Sequence, residues 1–148
     1  MRLAEILTEF GRRYGIERLA LDEGGRLALT LDGGRRLVVH RPPGDGAAVF
    51  LRMPMAMPAL PEAGQAALYR RLLEANLLGQ GTAGAVASVD LGAEDLELHR
   101  RVPLTERLGP AEFAAEVELL YGAAERLVRE LGLEFAAAAA EEQEPPPG

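Results

Sequence analysis

Three places in the chain hold residue types that could do chemistry. Residues 79–84, Gly-Gln-Gly-Thr-Ala-Gly, match the spacing G-x-G-x-x-G letter for letter. In a dinucleotide site that spacing follows a strand and opens a helix, so that the helix N-terminus meets the pyrophosphate. Here a helical pattern precedes and a strand pattern follows, so the segment reads as a helix-capping loop. Glu97 and His99 share one face of an alternating segment, and His40 is the only other histidine. A zinc site draws three or four converging ligands, so these read as solvated strand positions. Ser88, the only serine, lies inside the alternation Ala87-Ser88-Val89, without the sharp turn that exposes a nucleophile. No catalytic residue, cofactor or metal is expected, and the chain reads as a binding protein rather than an enzyme.

Composition narrows the field further. Cysteine and lysine are both absent, and all 16 basic residues are arginine, which excludes disulfides, thiolate chemistry, Schiff bases and the P-loop lysine. A net charge of −7 with no basic stripe opposes a nucleic-acid backbone, whose binding rests on phosphate neutralisation. No apolar run approaches the roughly 18 to 20 residues needed to cross a bilayer. The first residues, with Glu5 among them, lack the apolar stretch of a secretory signal. A cytoplasmic protein with no nucleic-acid partner and no membrane insertion is expected.

Hydrophobic periodicity supplies the elements that must position any site. Leu3, Ile6, Leu7, Phe10 and Tyr14 recur at helical spacing before Gly15, which predicts a helix over 2–14. A short strand is expected near Leu19 and Leu21. Leu27, Leu29 and Leu31, then residues 37–40, then 47–53, read as strands separated by glycine and proline turns. Met53-Pro54-Met55-Ala56-Met57-Pro58 holds three of the four methionines between prolines, and proline argues against a regular ladder there. Pro61 and Gly79 bracket a second helix over 62–78. Two strands follow, 85–91 and 96–102, joined through residues 92–95. Gly109-Pro110 opens a third helix that is expected to stop at Gly132. The order is α-β-β-β-α-β-β-α, an α+β class with an antiparallel sheet and three helices. Residues 1–132 form the expected single domain, and the Ala/Glu/Pro-rich 133–148 a flexible tail.

The second helix carries a surplus of apolar surface. At about 100° per residue, Arg70, Arg71 and Glu74 share one polar arc, while Leu68, Tyr69, Leu72, Leu73, Ala75 and Leu77 spread over roughly 200° of the rest, twice the stripe that packing on one sheet needs. A matching helix of a second subunit is the expected cover, centred on Leu68, Leu72, Asn76 and Leu77. Asn76, the only asparagine, needs hydrogen bonds if buried, from the glycine-rich loop or across the dimer. The methionines suit either an adaptable docking surface or the edge of a core. Val38, Phe50 and Val86, on the less apolar strand faces, suggest patches left for a guest.

Leu73-Glu74-Ala75-Asn76-Leu77-Leu78, the glycine-rich loop, the strand ending in Asp90, Leu96-Glu97-Leu98 and Val102-Pro103-Leu104 together resemble the Tir chaperone (CesT) family, the class I chaperones of bacterial type III secretion. The resemblance covers about residues 1–131. Ala83 departs from it, standing where a glycine pair is common after Thr82, and the last helix lacks a tryptophan often found near its end. The resemblance implies a cytoplasmic homodimer, built through helix two and the following strand, Val86 included. It also implies ATP-independent binding of an effector's N-terminal segment in extended form, in apolar grooves and by strand addition. By position, Leu3, Leu7, Phe10, Phe50, Met53 and Met55 are the candidate groove residues. A regulatory relative that sequesters a transcriptional regulator or its antagonist is the alternative of the same fold. A small ligand-binding domain or enzyme using Glu97, His99 and His40 is the alternative of another class.

Overall fold

The structure is a computed structural model that describes residues 2–56, 59–90 and 95–143, with side-chain environments up to residue 132. Helix α1 (Arg2–Arg13) is followed by strands β1 (Arg26–Thr30), β2 (Arg36–His40) and β3 (Ala48–Ala56). Then come α2 (Glu62–Ala75), β4 (Val86–Asp90), β5 (Asp95–Pro103) and α3 (Pro110–Gln143). The expected α-β-β-β-α-β-β-α order holds. All five strands form one antiparallel sheet in the order β1-β2-β3-β5-β4, which leaves β1 and β4 as its edges.

The core lies on one face of the sheet because strand alternation sends every second side chain there. Along β3, Val49, Leu51, Met53 and Met55 point inward and are buried, while Phe50, Arg52 and Pro54 face outward and are half-buried. Leu37 and Val39 of β2 and Leu96, Leu98 and Val102 of β5 complete the layer. α1 and α3 cover it. Leu3, Ile6, Leu7 and Phe10 form one α1 stripe at i, i+3, i+4 and i+7, all buried. The Phe10 ring meets Phe113 of α3 edge to face, centroids 5.1 Å apart at 83°, an arrangement the ring quadrupoles favour. Ion pairs tie the helices down at the rim, with Arg71 of α2 reaching Glu130 at 2.9 Å and Arg35 reaching Glu125 at 2.8 Å.

Several expectations are corrected here. No strand forms at Leu19 and Leu21 among the described residues; Leu19 instead packs beneath Gly11, where a Cβ would lie 3.0 Å from its own. The methionine-proline segment does join the ladder as far as Ala56, with Pro54 opposite Glu97 of β5. It can do so because the β2 pairing ends at Arg52, so beyond it the missing proline N–H has no strand partner to lose. Met57, Pro58 and the turn at 91–94 lie outside the described residues. α2 ends at Ala75, and a 3-10 turn, Leu77–Gly79, carries the chain away. α3 does not stop at Gly132 but continues to Gln143, since a single helical glycine costs only about 1 kcal/mol against alanine.

Candidate functional site

The two edges of the sheet differ in what their backbones can accept. Next to β4 the outward backbone groups of Ala87, and of Ala85 just before the strand, are taken by the chain itself, while Val89, the next outward residue, has no outward backbone partner among the described residues. Asn76, just past α2, donates its Nδ2 to the Ala87 carbonyl at 2.9 Å and accepts the Ala87 N–H at 2.8 Å. Thr82 does the same at Ala85, its hydroxyl donating to the Ala85 carbonyl at 2.5 Å while its own carbonyl accepts the Ala85 N–H at 3.1 Å. The glycine-rich segment makes this clasp possible. A Cβ on Gly81 would lie 2.8 Å from the Ala75 backbone, and one on Gly79, itself at φ +69, would lie 2.9 Å from Gly84. The G-x-G-x-x-G spacing therefore closes a loop against a helix end and a strand edge.

β1 leaves the longer open stretch. At its first outward position, Arg26, the N–H donates to Asp22 Oδ1 at 2.9 Å and the carbonyl accepts the Asp22 N–H at 2.8 Å. Because Arg26 uses both groups away from β2, the antiparallel alternation turns Ala28 and Thr30 outward as well. Neither of those has an outward backbone partner among the described residues. Beside this open edge, past the end of β1, lies a cavity of about 200 Å³ lined by Tyr14, Leu31, Asp32, Val117, Glu118 and Tyr121. Tyr121 is held there by donating its hydroxyl to the Asp32 carbonyl at 3.2 Å.

A separate apolar corner sits at the other side of the molecule. Leu73, Leu77 and Leu78 are 72%, 64% and 85% exposed, and Val86 is 46% exposed. Asn76 pins their elements together through Ala87. Leu78 has φ +53, a left-handed conformation that costs an ordinary L-residue about 1–2 kcal/mol. Leu78 is thus an apolar side chain that is both strained and exposed. Ala83 shares the left-handed backbone at φ +54. Ala83→Gly should relieve that penalty, partly offset by glycine's greater entropy loss, and raise stability by roughly 0.5–1 kcal/mol, read as a higher Tm.

The candidate residues divide accordingly. For the subunit contact, Leu77 and Val86 are exposed, Asn76 is half-buried and bonded within its own chain, and Leu68 and Leu72 are buried in their own subunit at 0% and 4% exposure. Of the groove candidates, Leu3, Leu7, Phe10, Met53 and Met55 are all buried in the core, so only Phe50 offers surface. The reason is that the helix-one stripe and the inward face of β3 are consumed by packing against α3. The open β1 edge and its cavity were missed; the peripheral placement of Tyr14 and Tyr121 on their apolar stripes was the available signal.

The residue types that could do chemistry lie on the outer sheet face. Glu97 accepts two hydrogen bonds from Arg52, the Nη2 one at 3.4 Å. His99 stacks obliquely on Phe50 at 6.2 Å. Among the described residues, no three His, Asp or Glu side chains converge as metal ligands. His40 faces Phe50 on β3 and Arg26 on β1. Its pKa is lowered from the ordinary 6.5 by burial first, then by Arg26 and Arg52, against weaker pulls from Asp22 and Glu97. A histidine whose folded pKa is lowered binds its proton more readily unfolded, so stability is full above about pH 6.5 and falls as pH drops through the folded value. His40→Asn should flatten that loss between pH 7 and 5 in denaturant titrations.

A helix-backed antiparallel sheet with one partly clasped edge and one open beyond Arg26 defines an α+β domain. Residues 5–128 match the model of the Tir chaperone protein (CesT) family, and the chain belongs to that family of type III secretion chaperones. No curated protein sequence matches it. Solved structures share the fold. A chain of the ExsC-ExsE complex superposes with TM-score 0.69 at 22% identity, covering 83% of this chain and 88% of that one. One from the complex of the Yersinia pestis chaperone SycH with a YscM2 fragment gives 0.60 at 19%, covering 82% and 97%. One from the Pseudomonas aeruginosa ExoU-SpcU complex gives 0.59 at 21%, covering 84% and 95%. Among the described residues, no helix is long and apolar enough to cross a membrane.

Proposed function

We propose that this protein is a homodimeric chaperone of the bacterial cytoplasm that holds the N-terminal segment of a secreted effector in extended form, without ATP. The observation that carries the reading is the asymmetry of the sheet edges. Strand addition requires unpaired backbone groups at an edge: on β1 both Ala28 and Thr30 keep theirs, whereas beside β4 Asn76 and Thr82 occupy those of Ala87 and Ala85 and leave Val89 alone open among the described residues. The adjoining cavity at Tyr14, Leu31, Val117 and Tyr121 accommodates one apolar side chain of the added strand. Leu73, Leu77, Leu78 and Val86 form the subunit contact. On this reading the dimer places two open edges at the disposal of one wrapped cargo chain.

Co-expression with secreted proteins encoded beside it should yield a soluble complex of two copies of this chain and one partner, stable after ATP depletion. The partner's bound region should resist proteolysis only while the complex is intact. Failure to form a complex with any secreted neighbour, or a complex that dissolves without ATP, would overturn the reading.

A further inference from the structure

Resting on the proposed strand addition at β1, the chemistry of the partner segment is set by the surface beside that edge. On the outer face, Ala28 of β1 pairs with Val38 of β2, and Thr30 pairs with Arg36. Ala28, Val38 and Pro54 floor a concavity of about 340 Å³ with Arg26, Arg36 and Arg52 around it. Arg52 is engaged by Glu97. Arg26 and Arg36 are exposed, and neither side chain has a carboxylate within ion-pair distance among the described residues. Asp22 is the carboxylate at this end of the concavity, and its Oδ1 accepts the Arg26 N–H. Asp90, Asp95 and Glu97 lie on the far strands. Two uncommitted guanidinium groups thus border the open edge of a chain whose net charge is −7.

A strand paired to β1 alternates its side chains between the two faces. Residues opposite Leu29 and Leu31 turn inward, toward the core and the Tyr14-Tyr121 cavity. The residue opposite Ala28 turns outward, with Arg26 and Thr30 as its diagonal neighbours and Arg36 just beyond Thr30. We infer that the partner segment is apolar on its inward positions and acidic on its outward ones, with a carboxylate opposite Ala28 read by Arg26 and Arg36. A lysine there would meet two like charges over a small-residue floor, and the one carboxylate at this end, Asp22, already accepts the Arg26 N–H through Oδ1.

Two capped peptides test this by amide chemical shifts in the full chain, Thr-Val-Glu-Val-Glu-Val-Thr and the same sequence with lysine for each glutamate. The glutamate peptide should shift the Ala28 and Thr30 amides at concentrations roughly tenfold below those the lysine peptide needs, as expected for one or two partly exposed charge pairs against repulsion. The double variant Arg26→Glu/Arg36→Glu, which alters exposed side chains, should reverse the preference. Equal shifts from both peptides would overturn the charge rule and leave strand addition standing. No shift at Ala28 or Thr30 from either peptide would overturn both, whereas the co-expression result bears on the chaperone reading separately.

Discussion

Leu77→Glu combined with Leu78→Glu should turn the proposed dimer into a folded monomer. Both side chains are mostly in solvent in the single subunit, so the substitutions cost the isolated fold little. In a dry contact, each uncompensated charge costs about 3 kcal/mol or more, which is over 100-fold in the dimer dissociation constant. Light scattering should give the mass of one chain, with an unchanged far-ultraviolet circular dichroism spectrum. A persistent dimer would place the contact elsewhere. Leu78→Gly sharpens the test by removing the side chain and the left-handed strain together: the dimer should weaken while the monomer gains stability. Leu72→Glu is not a usable probe, because Leu72 is 4% exposed within its own subunit and the charge would break the core.

The sequence carried the architecture well because periodicity and punctuation agree along most of it. Leu3, Ile6, Leu7 and Phe10 declare a helix, Leu37 to His40 a strand, and Gly109-Pro110 a helix start, and each forms where expected. What periodicity could not show is which cover an apolar stripe meets. The stripe of α1 looks the same whether it faces a guest or α3, and only the Phe10-Phe113 contact decides. The same holds for the wide arc expected of the second helix, which divides into Leu68 and Leu72, turned inward on α2, and Leu73 on α2 with Leu77 just beyond it, turned to solvent. Pro54 misled for a different reason. A proline's effect on a ladder depends on whether a strand lies on its N–H side, which is a property of the neighbouring strand's length and not of the local residues. The clasp of Asn76 on Ala87 was legible as a need, since a lone buried amide must be bonded, but its partner lies eleven residues on, across a loop.

Phe10→Ala should cost about 3–5 kcal/mol of folding stability, the range for truncating a buried phenylalanine. Phe10 is fully buried, its ring centroid lying 5.0 Å from that of Tyr14 and 5.1 Å from that of Phe113, so the side chain is a joint between α1 and α3 and its removal opens a cavity at the base of the Tyr14 ring. For a domain with roughly 5–15 kcal/mol in total, that is a large fraction. The denaturation midpoint should fall sharply, and any loss of cargo binding should scale with the fraction unfolded. Tyr14→Ala provides the contrast. Tyr14 is 41% exposed and lines the cavity beside β1, so it should lose far less stability than Phe10→Ala while weakening an added strand at fully folded protein. If Phe10→Ala instead left the midpoint unchanged and abolished binding, α1 would be a groove wall rather than core. The division of labour between the buried stripe and the open edge would then have to be reversed.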